Sequence, residues 1–338
     1  MYKIISLFNN KGGVSKTTTT FNLGWKLAQL GYNTLIVDTD PQCNLTGLCL
    51  NSNGGYNYEM IYDGKYGNIK SALAPVLEGE QGSIKSVNCY PITSNERLLL
   101  LPGNIGFSEY DATYNIAENL TGSLGIFKNV PGAISELIKR IAETYKLDYV
   151  LFDMSPSISA TNANILMSSD YFILPCAPDY FCYMAIQSLC KVFVRWVESY
   201  QSIRKNKIFA SAAYKLPTHL PLFLGTIQQR YRPRNGSPAK AFSEWIEKIN
   251  GAVCSDLVPI LEEYKMISPN HTPNYNLSNI SDFNSLIALS QEYSTPIFLL
   301  KEGHIKQHGK VLDNMLDNID NFDRVFTELA QTIIRITG

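Results

Sequence analysis

The chain has 338 residues, 45% hydrophobic and 17% charged, enough apolar material for one large buried core. A net charge of −1 excludes a globally basic nucleic-acid binder, so any such binding must come from a local patch. No apolar run reaches the ~20 residues of a membrane span, and nothing ahead of the first strand reads as a signal peptide. The seven cysteines (Cys43, Cys49, Cys89, Cys176, Cys182, Cys190 and Cys254) form no CxxC pair, which points to a reducing cytoplasm and away from structural zinc.

Ile4 to Phe8 reads as a buried strand. Thr19 to Leu30, with Phe21, Leu23, Trp25, Leu27, Ala28 and Leu30, suits a helix ending at Gly31. Between them runs Lys11-Gly12-Gly13-Val14-Ser15-Lys16-Thr17-Thr18. Strand, Gly-rich turn and helix form the context of a phosphate loop, in which backbone N–H groups and the helix dipole face an anion. Lys16 would reach the β- and γ-phosphates, and the Thr17 hydroxyl would ligate Mg²⁺. The common G-x-x-x-x-G-K-[ST] pattern is not met, because Asn10 and Ser15 stand at its glycines. Ser15 is expected to adopt a negative φ, which accommodates its Cβ.

Thr34 to Val37 is a second strand, delivering Asp38-Thr39-Asp40-Pro41-Gln42 to the same sheet edge. Residues 51–82 are polar and turn-rich, with one short helix at Ile69 to Leu77. Leu98 to Leu101 is a strand, Ser108 to Leu120 is polar, and Pro131 to Tyr145 is an amphipathic helix with Ile134, Leu137, Ile138 and Ile141 inward. Tyr149 to Phe152 forms a central strand ending in Asp153, whose carboxylate would face Mg²⁺ through water. Asp170 to Pro175 is a further strand before a helix from Met184 to Val197. Val311 to Ile334 reads as the closing helix.

Three motifs together carry a resemblance. Lys11-Gly12-Gly13-Val14-Ser15-Lys16-Thr17 resembles the deviant K-G-G-x-G-K-[ST] loop of the ParA/MinD ATPases, with Ser15 for its last Gly. Asp38-Thr39-Asp40-Pro41-Gln42 resembles that family's D-x-D-P-Q switch, continued by Cys43-Asn44-Leu45-Thr46 where G-N-[AL]-T is usual. Asp153-Met154-Ser155-Pro156-Ser157 resembles its Walker B and second switch, D-x-x-P-S. Singly, each is a common surface feature; together, in this order and spacing, they are specific. Phe223 to Gln228, and Val258-Pro259 followed by Leu286 to Pro296, resemble the family's late-strand segments. The match weakens in the excursions 51–95, 199–222 and 262–285.

The resemblance implies one doubly wound, mainly parallel α/β P-loop domain over 1–338, with helices on both faces of the sheet. It implies ATP and Mg²⁺ as ligands, Lys11 to Thr18 as the nucleotide site, and Thr17, Asp38 and Asp153 around the metal. It implies that Lys11 crosses a homodimer interface to the partner's nucleotide, that Lys16 is catalytic, and that Asp40 positions the hydrolytic water. The short ParA form, which this chain resembles, is expected in the cytoplasm at the nucleoid. It would bind DNA non-specifically, segregate a plasmid, chromosome or mobile element, and answer to a ParB-like adaptor that stimulates hydrolysis. Arg230, Arg232 and Arg234 are the densest basic cluster and the candidate DNA contacts, with Lys191, Arg195, Arg204, Lys205 and Lys207 next.

Other classes compete. A MinD-like membrane-associated positioning ATPase needs a basic amphipathic tail. Phe322 to Ile336 has the apolar stripe, but Asp320, Asp323 and Glu328 accompany only Arg324 and Arg335, so it reads as a core helix and no membrane is expected. An iron–sulfur reductase of the nitrogenase iron-protein type would need bridging cysteines after the second switch, and Cys176 and Cys182 are set differently. A ligase or kinase of this fold would usually lack Lys11.

Overall fold

A computed structural model describes residues 2–52, 55–56, 64–79, 83–92, 96–119, 127–231, 233–234, 237–238 and 240–338. Its strands are β1 (Lys3–Leu7), β2 (Thr34–Asp38), β3 (Asn51–Ser52), β4 (Gly55–Tyr56), β5 (Tyr90–Pro91), β6 (Leu98–Leu101), β7 (Tyr149–Asp153), β8 (Tyr171–Cys176), β9 (Leu222–Tyr231), β10 (Pro233–Arg234), β11 (Ser237–Pro238) and β12 (Asn276–Ser281). The principal helices are α1 (Lys16–Gln29), α2 (Asn44–Leu50), α3 (Ile69–Leu77), α4 (Tyr110–Asn119), α5 (Ala133–Tyr145), α6 (Ala160–Met167), α7 (Tyr180–Lys205), α8 (Lys240–Ala252), α9 (Val258–Glu263), α10 (Leu286–Glu292) and α11 (Lys310–Thr337).

Eight strands form one sheet in the order β12-β9-β8-β1-β7-β2-β6-β5, parallel except for β5 at one edge. β3 with β4, and β10 with β11, are separate two-residue hairpins. Early connections carry the chain from β1 to the β2 side, and β7 to β8 carries it back across β1. The carboxyl end of β1 is therefore the point where strand order reverses, the place where such sheets open a crevice for ligands.

Alternating side chains divide the core into two layers. Ile5, Leu7, Ile36, Leu98, Leu100 and Leu151 pack with α1 and with Phe322, Phe326, Leu329 and Ile333 of α11 on one face. Ile4, Leu35, Val37, Val150, Phe152 and Phe172 pack with α3, α5, α6 and α7 on the other. The two-residue period of a strand buried on both sides requires this arrangement. Gly24 lets α1 lie flat on the sheet, since a Cβ there would come within 2.6 Å of the Ile36 side chain.

The expected α/β class, the α3 segment and the inward face of α5 stand as read. Val258-Pro259, expected as a strand, instead opens α9. The helical backbone runs on from α8 through a π-helical stretch, Val253–Leu257, directly ahead of Pro259, so the apolar Val-Pro-Ile-Leu run continues a helix rather than forming a strand. The late strand is β12, inside the excursion 262–285. It is polar, burying only Leu277 and Ile280, as befits a sheet edge, and so gives no apolar signal. The polar stretch 108–120 contains α4, which buries Tyr110, Tyr114 and Ala117. The closing helix packs its apolar stripe on the sheet, as expected of a core helix. Among the described residues no helix is long and apolar enough to cross a membrane.

Candidate active site

The loop after β1 is fixed from both ends. Asn9, fully buried, donates Nδ2–H to the Pro175 carbonyl at 2.8 Å and accepts the Lys11 N–H at 2.9 Å. At the other end Thr19 Oγ1 donates to Gln229 Oε1 at 2.9 Å, tying the first turn of α1 to β9. Lys16 is 7% exposed, and its Nζ donates to the carbonyls of Asn9 at 3.0 Å and Lys11 at 3.1 Å. Burial lowers its pKa, while Asp153 and Asp40 act in the opposite direction. The ammonium is thus stretched back across the loop, beside the α1 N-terminus.

Gly12 to Thr18, Asp40, Gln42 to Asn44, Pro156 and Arg230 line a cleft of about 700 Å3. The sequence-derived Lys16, Thr17 and Asp40 all meet here. Lys11 does not line it: its ammonium pairs with Asp179 at the N-cap of α7 and lies 6.0 Å from the Phe181 ring centroid. Asp179 as partner of Lys11 had no sequence signal, because an Asp after Pro reads as an ordinary helix cap.

β2 and β7 run in register so that Asp38 and Asp153 stand side by side. Asp38 is committed internally. Its Oδ2 accepts from Thr46 N at 2.8 Å and Thr46 Oγ1 at 2.7 Å, and its Oδ1 from Asp40 N at 3.2 Å. It anchors the first switch, a role the sequence did not reveal. Asp153 is the reverse case: both carboxylate oxygens are buried without a hydrogen-bond partner. Thr17 faces it without completing a bond of ordinary geometry, and its hydroxyl and Lys16 only partly oppose the rise that burial imposes on the carboxyl's pKa. An orphaned buried carboxylate beside a phosphate loop is the donor set that suits a hydrated Mg²⁺. Among the described residues no cluster of three acidic, His or Cys side chains forms a protein-only cage, as suits an ion shared with substrate phosphates.

Burial pushes Asp153 up to about 8, helped by the Asp38 charge, and burial pushes Asp38 up to about 6 against its Thr46 hydrogen bonds. Both folded values exceed the unfolded carboxylate value of about 4, so the folded chain binds more protons between about pH 4 and 8. Stability of the nucleotide-free protein should therefore fall as pH rises through that window. Thermal unfolding at pH 6 and pH 8 tests this: Asp153→Asn should flatten the difference, and an unchanged slope would refute the assignment.

Ser15 differs from expectation. Its φ is +56, at the N-cap of α1, where its side chain makes no capping bond. The loop must turn from Gly13, itself at φ +72, into the helix, and Ser15 takes a left-handed conformation that glycine adopts without strain. Cys43, which also replaces a family glycine, is likewise at φ +53. Ser15→Gly should raise stability by about 0.5–1 kcal/mol, roughly 1 °C in Tm for a chain this long, since strain is relieved and no cap is lost. A lower Tm would contradict strain at this position.

Arg230, expected as a DNA contact, is exposed at this cleft, where it donates Nη1–H to the Gly13 carbonyl at 2.7 Å. Arg232 lies outside the described residues, and only the backbone of Arg234 is described.

Residues 2–207, more than half of the chain, match a family model described as an AAA domain. The chain belongs to this family of ParA/MinD-type P-loop ATPases. An uncharacterized protein of Methanocaldococcus jannaschii is 34% identical over 54% of this chain and 62% of its own length, so the match spans less than two thirds of that relative. The sporulation initiation inhibitor protein Soj of Bacillus subtilis is 30% identical over 59% of this chain and 68% of its own. The chromosome-partitioning ATPase Soj of Thermus thermophilus is 30% identical over 55% and 59%. Among solved structures, an ATP complex of Cyanothece McdA covers 98% of this chain and 96% of its own, with a TM-score of 0.59 at 16% identity. Pyrococcus furiosus MinD covers 99% and 100%, with a TM-score of 0.53 at 20% identity. These likenesses show the shared ATPase fold.

Proposed function

We propose that this ATPase is a nucleotide-dependent dimeric switch that binds DNA without sequence preference and segregates a replicon or other DNA cargo. The observation that carries the reading is the meeting of Lys16, Thr17 and Asp40 at one cleft beside the α1 N-terminus, with the orphaned Asp153 buried directly behind Thr17 and Lys16. ATP's phosphates would lie on the loop N–H groups and Lys16; Thr17 directly, and Asp153 and Asp38 at one remove, would hold Mg²⁺. Bound Mg²⁺ supplies charge neutralisation at the phosphates. Asp40, on the cleft wall, is placed to orient water, and Lys11, once released from Asp179, to reach across to a second subunit.

The partition reading draws on the Soj relatives and on a putative plasmid partition protein of Borrelia burgdorferi bound to AMPPNP, which covers 99% of this chain with a TM-score of 0.54. Exposed Lys191, Arg195, Arg204, Lys205 and Lys207 on and just beyond α7 are now the better phosphate-contact candidates, since Arg230 is engaged at the cleft. A ParB-like adaptor would accelerate hydrolysis and release DNA. The membrane alternative is disfavoured because the apolar stripe of α11 is already buried on the sheet.

Co-sedimentation with DNA, and separately with anionic liposomes, in ATP, ADP or no nucleotide distinguishes the two. DNA binding only with ATP is expected. Lys191, Arg195 and Lys205 changed together to Ala should then lower the log–log salt slope by roughly 2 to 3. Pelleting with liposomes and not with DNA would replace partition with membrane positioning.

A further inference from the structure

We propose that Arg230 is a second phosphate-binding cation of the cleft, supplied by the same subunit from the end of β9. The proposal rests on the ATP reading of this cleft and deepens it.

Three observations carry it. The first is position. Arg230 comes from a strand two places from β1 in the sheet, and its guanidinium reaches the phosphate loop that follows β1, bonding the Gly13 carbonyl at 2.7 Å. A guanidinium has five N–H donors, and this bond uses one of them. Gly13 itself sits at φ +72, and a Cβ there would stand in ordinary contact, 3.5 Å from the same nitrogen, so the guanidinium lies directly against the loop.

The second is backbone. Gln229 pairs with Ile280 and Tyr231 with Ser281, which leaves Arg230 as an extra residue in the β9–β12 ladder. It sits at φ +61, a conformation that disfavours any side chain except glycine's. A bulge held in that region re-aims one side chain, and such strain collects at binding sites. Here it turns an arginine from the sheet edge onto the loop, while the neighbouring Gln229 holds Thr19 of α1.

The third is charge. Of the residues lining the cleft, three are charged: Lys16, Asp40 and Arg230. Lys16 and Asp40 offset one another, and Lys11 is held outside by Asp179. Among the described lining residues, Arg230 is therefore the positive charge a polyphosphate meets without a compensating carboxylate. An arginine also matches phosphate geometry with paired donors.

The test uses the full chain and calorimetry with Mg-ATP and Mg-ADP, on wild type, Arg230→Ala, Arg230→Lys and Arg230→Gln, each checked for unchanged Tm. Loss of one charge-assisted contact should weaken nucleotide binding by roughly 10-fold to 100-fold in Arg230→Ala. Arg230→Lys, which keeps the charge, should recover part of that loss, and Arg230→Gln, which keeps only a donor for the Gly13 carbonyl, should not. Unchanged affinity in Arg230→Ala overturns the proposal, and so does full recovery in Arg230→Gln, which would make the residue a loop clamp. A wild type that binds no nucleotide would overturn the ATP reading itself. DNA binding of Arg230→Ala at saturating ATP should keep the wild-type salt slope; a fall of about 1 would return Arg230 to the DNA surface.

Discussion

Lys16→Ala should lose ATP binding by roughly 100-fold or more, read by calorimetry in the presence of Mg²⁺. The ammonium is fixed before any ligand arrives, bonded at 3.0 and 3.1 Å to two loop carbonyls and nearly closed from water. Little side-chain entropy is left to lose on binding, so most of a charge-assisted bond of about 1.5–3 kcal/mol appears as affinity. The substitution also removes the donor that those two carbonyls share, so the loop loses its internal tie as well as its charge. A Tm within a few degrees of wild type would show that the fold persists, because the core on both sheet faces is untouched. Arg230 sets the comparison: it is exposed, makes one loop bond, and should cost less when removed. Retained affinity in Lys16→Ala would remove the phosphate-loop assignment and everything built on it.

What could be read from sequence was whatever is repeated in several local signals. β1, the loop and α1 combine an apolar run, paired glycines, Lys-Thr and a terminal Gly31 at φ +99, each pointing to the same local structure. β7 offers four apolar residues and an Asp, and its register with β2 follows from burial on both faces. Elements whose formation depends on neighbours were not legible. β12 is held in the sheet by its ladder with β9 rather than by its own apolar content, and α9 looks like a strand until its Pro is placed in the first helical turn.

At the site, side chains were identified more readily than their partners. Lys16, Thr17, Asp40 and Asp153 fall where the motifs place them, because strand ends fix their direction. The pairing of Lys11 with Asp179, the anchoring of Thr46 by Asp38 and the turn of Arg230 onto Gly13 join residues 168, 8 and 217 positions apart. Only the second lies within one motif. Ser15 and Cys43 add a general point: both positions hold a left-handed backbone with a side chain present. The geometry that faces the ligand is thus imposed by the surrounding sheet and helix, and residue type alone understates it.

Asp40→Ala should divide binding from turnover. Asp40 is 9% exposed on the cleft wall, and its Oδ1 accepts the Gln42 N–H at 2.9 Å within the first switch. The loop backbone and the Lys16 hydrogen bonds to the Asn9 and Lys11 carbonyls do not use that side chain, so ATP affinity should stay within about threefold of wild type, and loss of a negative charge beside phosphate favours binding if it changes it. Hydrolysis loses the group that orients or activates water, an effect of roughly 10²- to 10⁴-fold. With ATP retained and turnover slowed, the nucleotide-held dimer should persist, visible as a stable dimer peak in ATP by size-exclusion chromatography with light scattering. Asp40→Asn separates the two duties of the residue, since its amide oxygen still accepts from Gln42 while the carboxylate charge is gone. If the Asn variant hydrolyses as slowly as the Ala variant, charge at this position is required. Hydrolysis at the wild-type rate in Asp40→Ala would deny the residue any part in turnover and leave the water to be placed by another group.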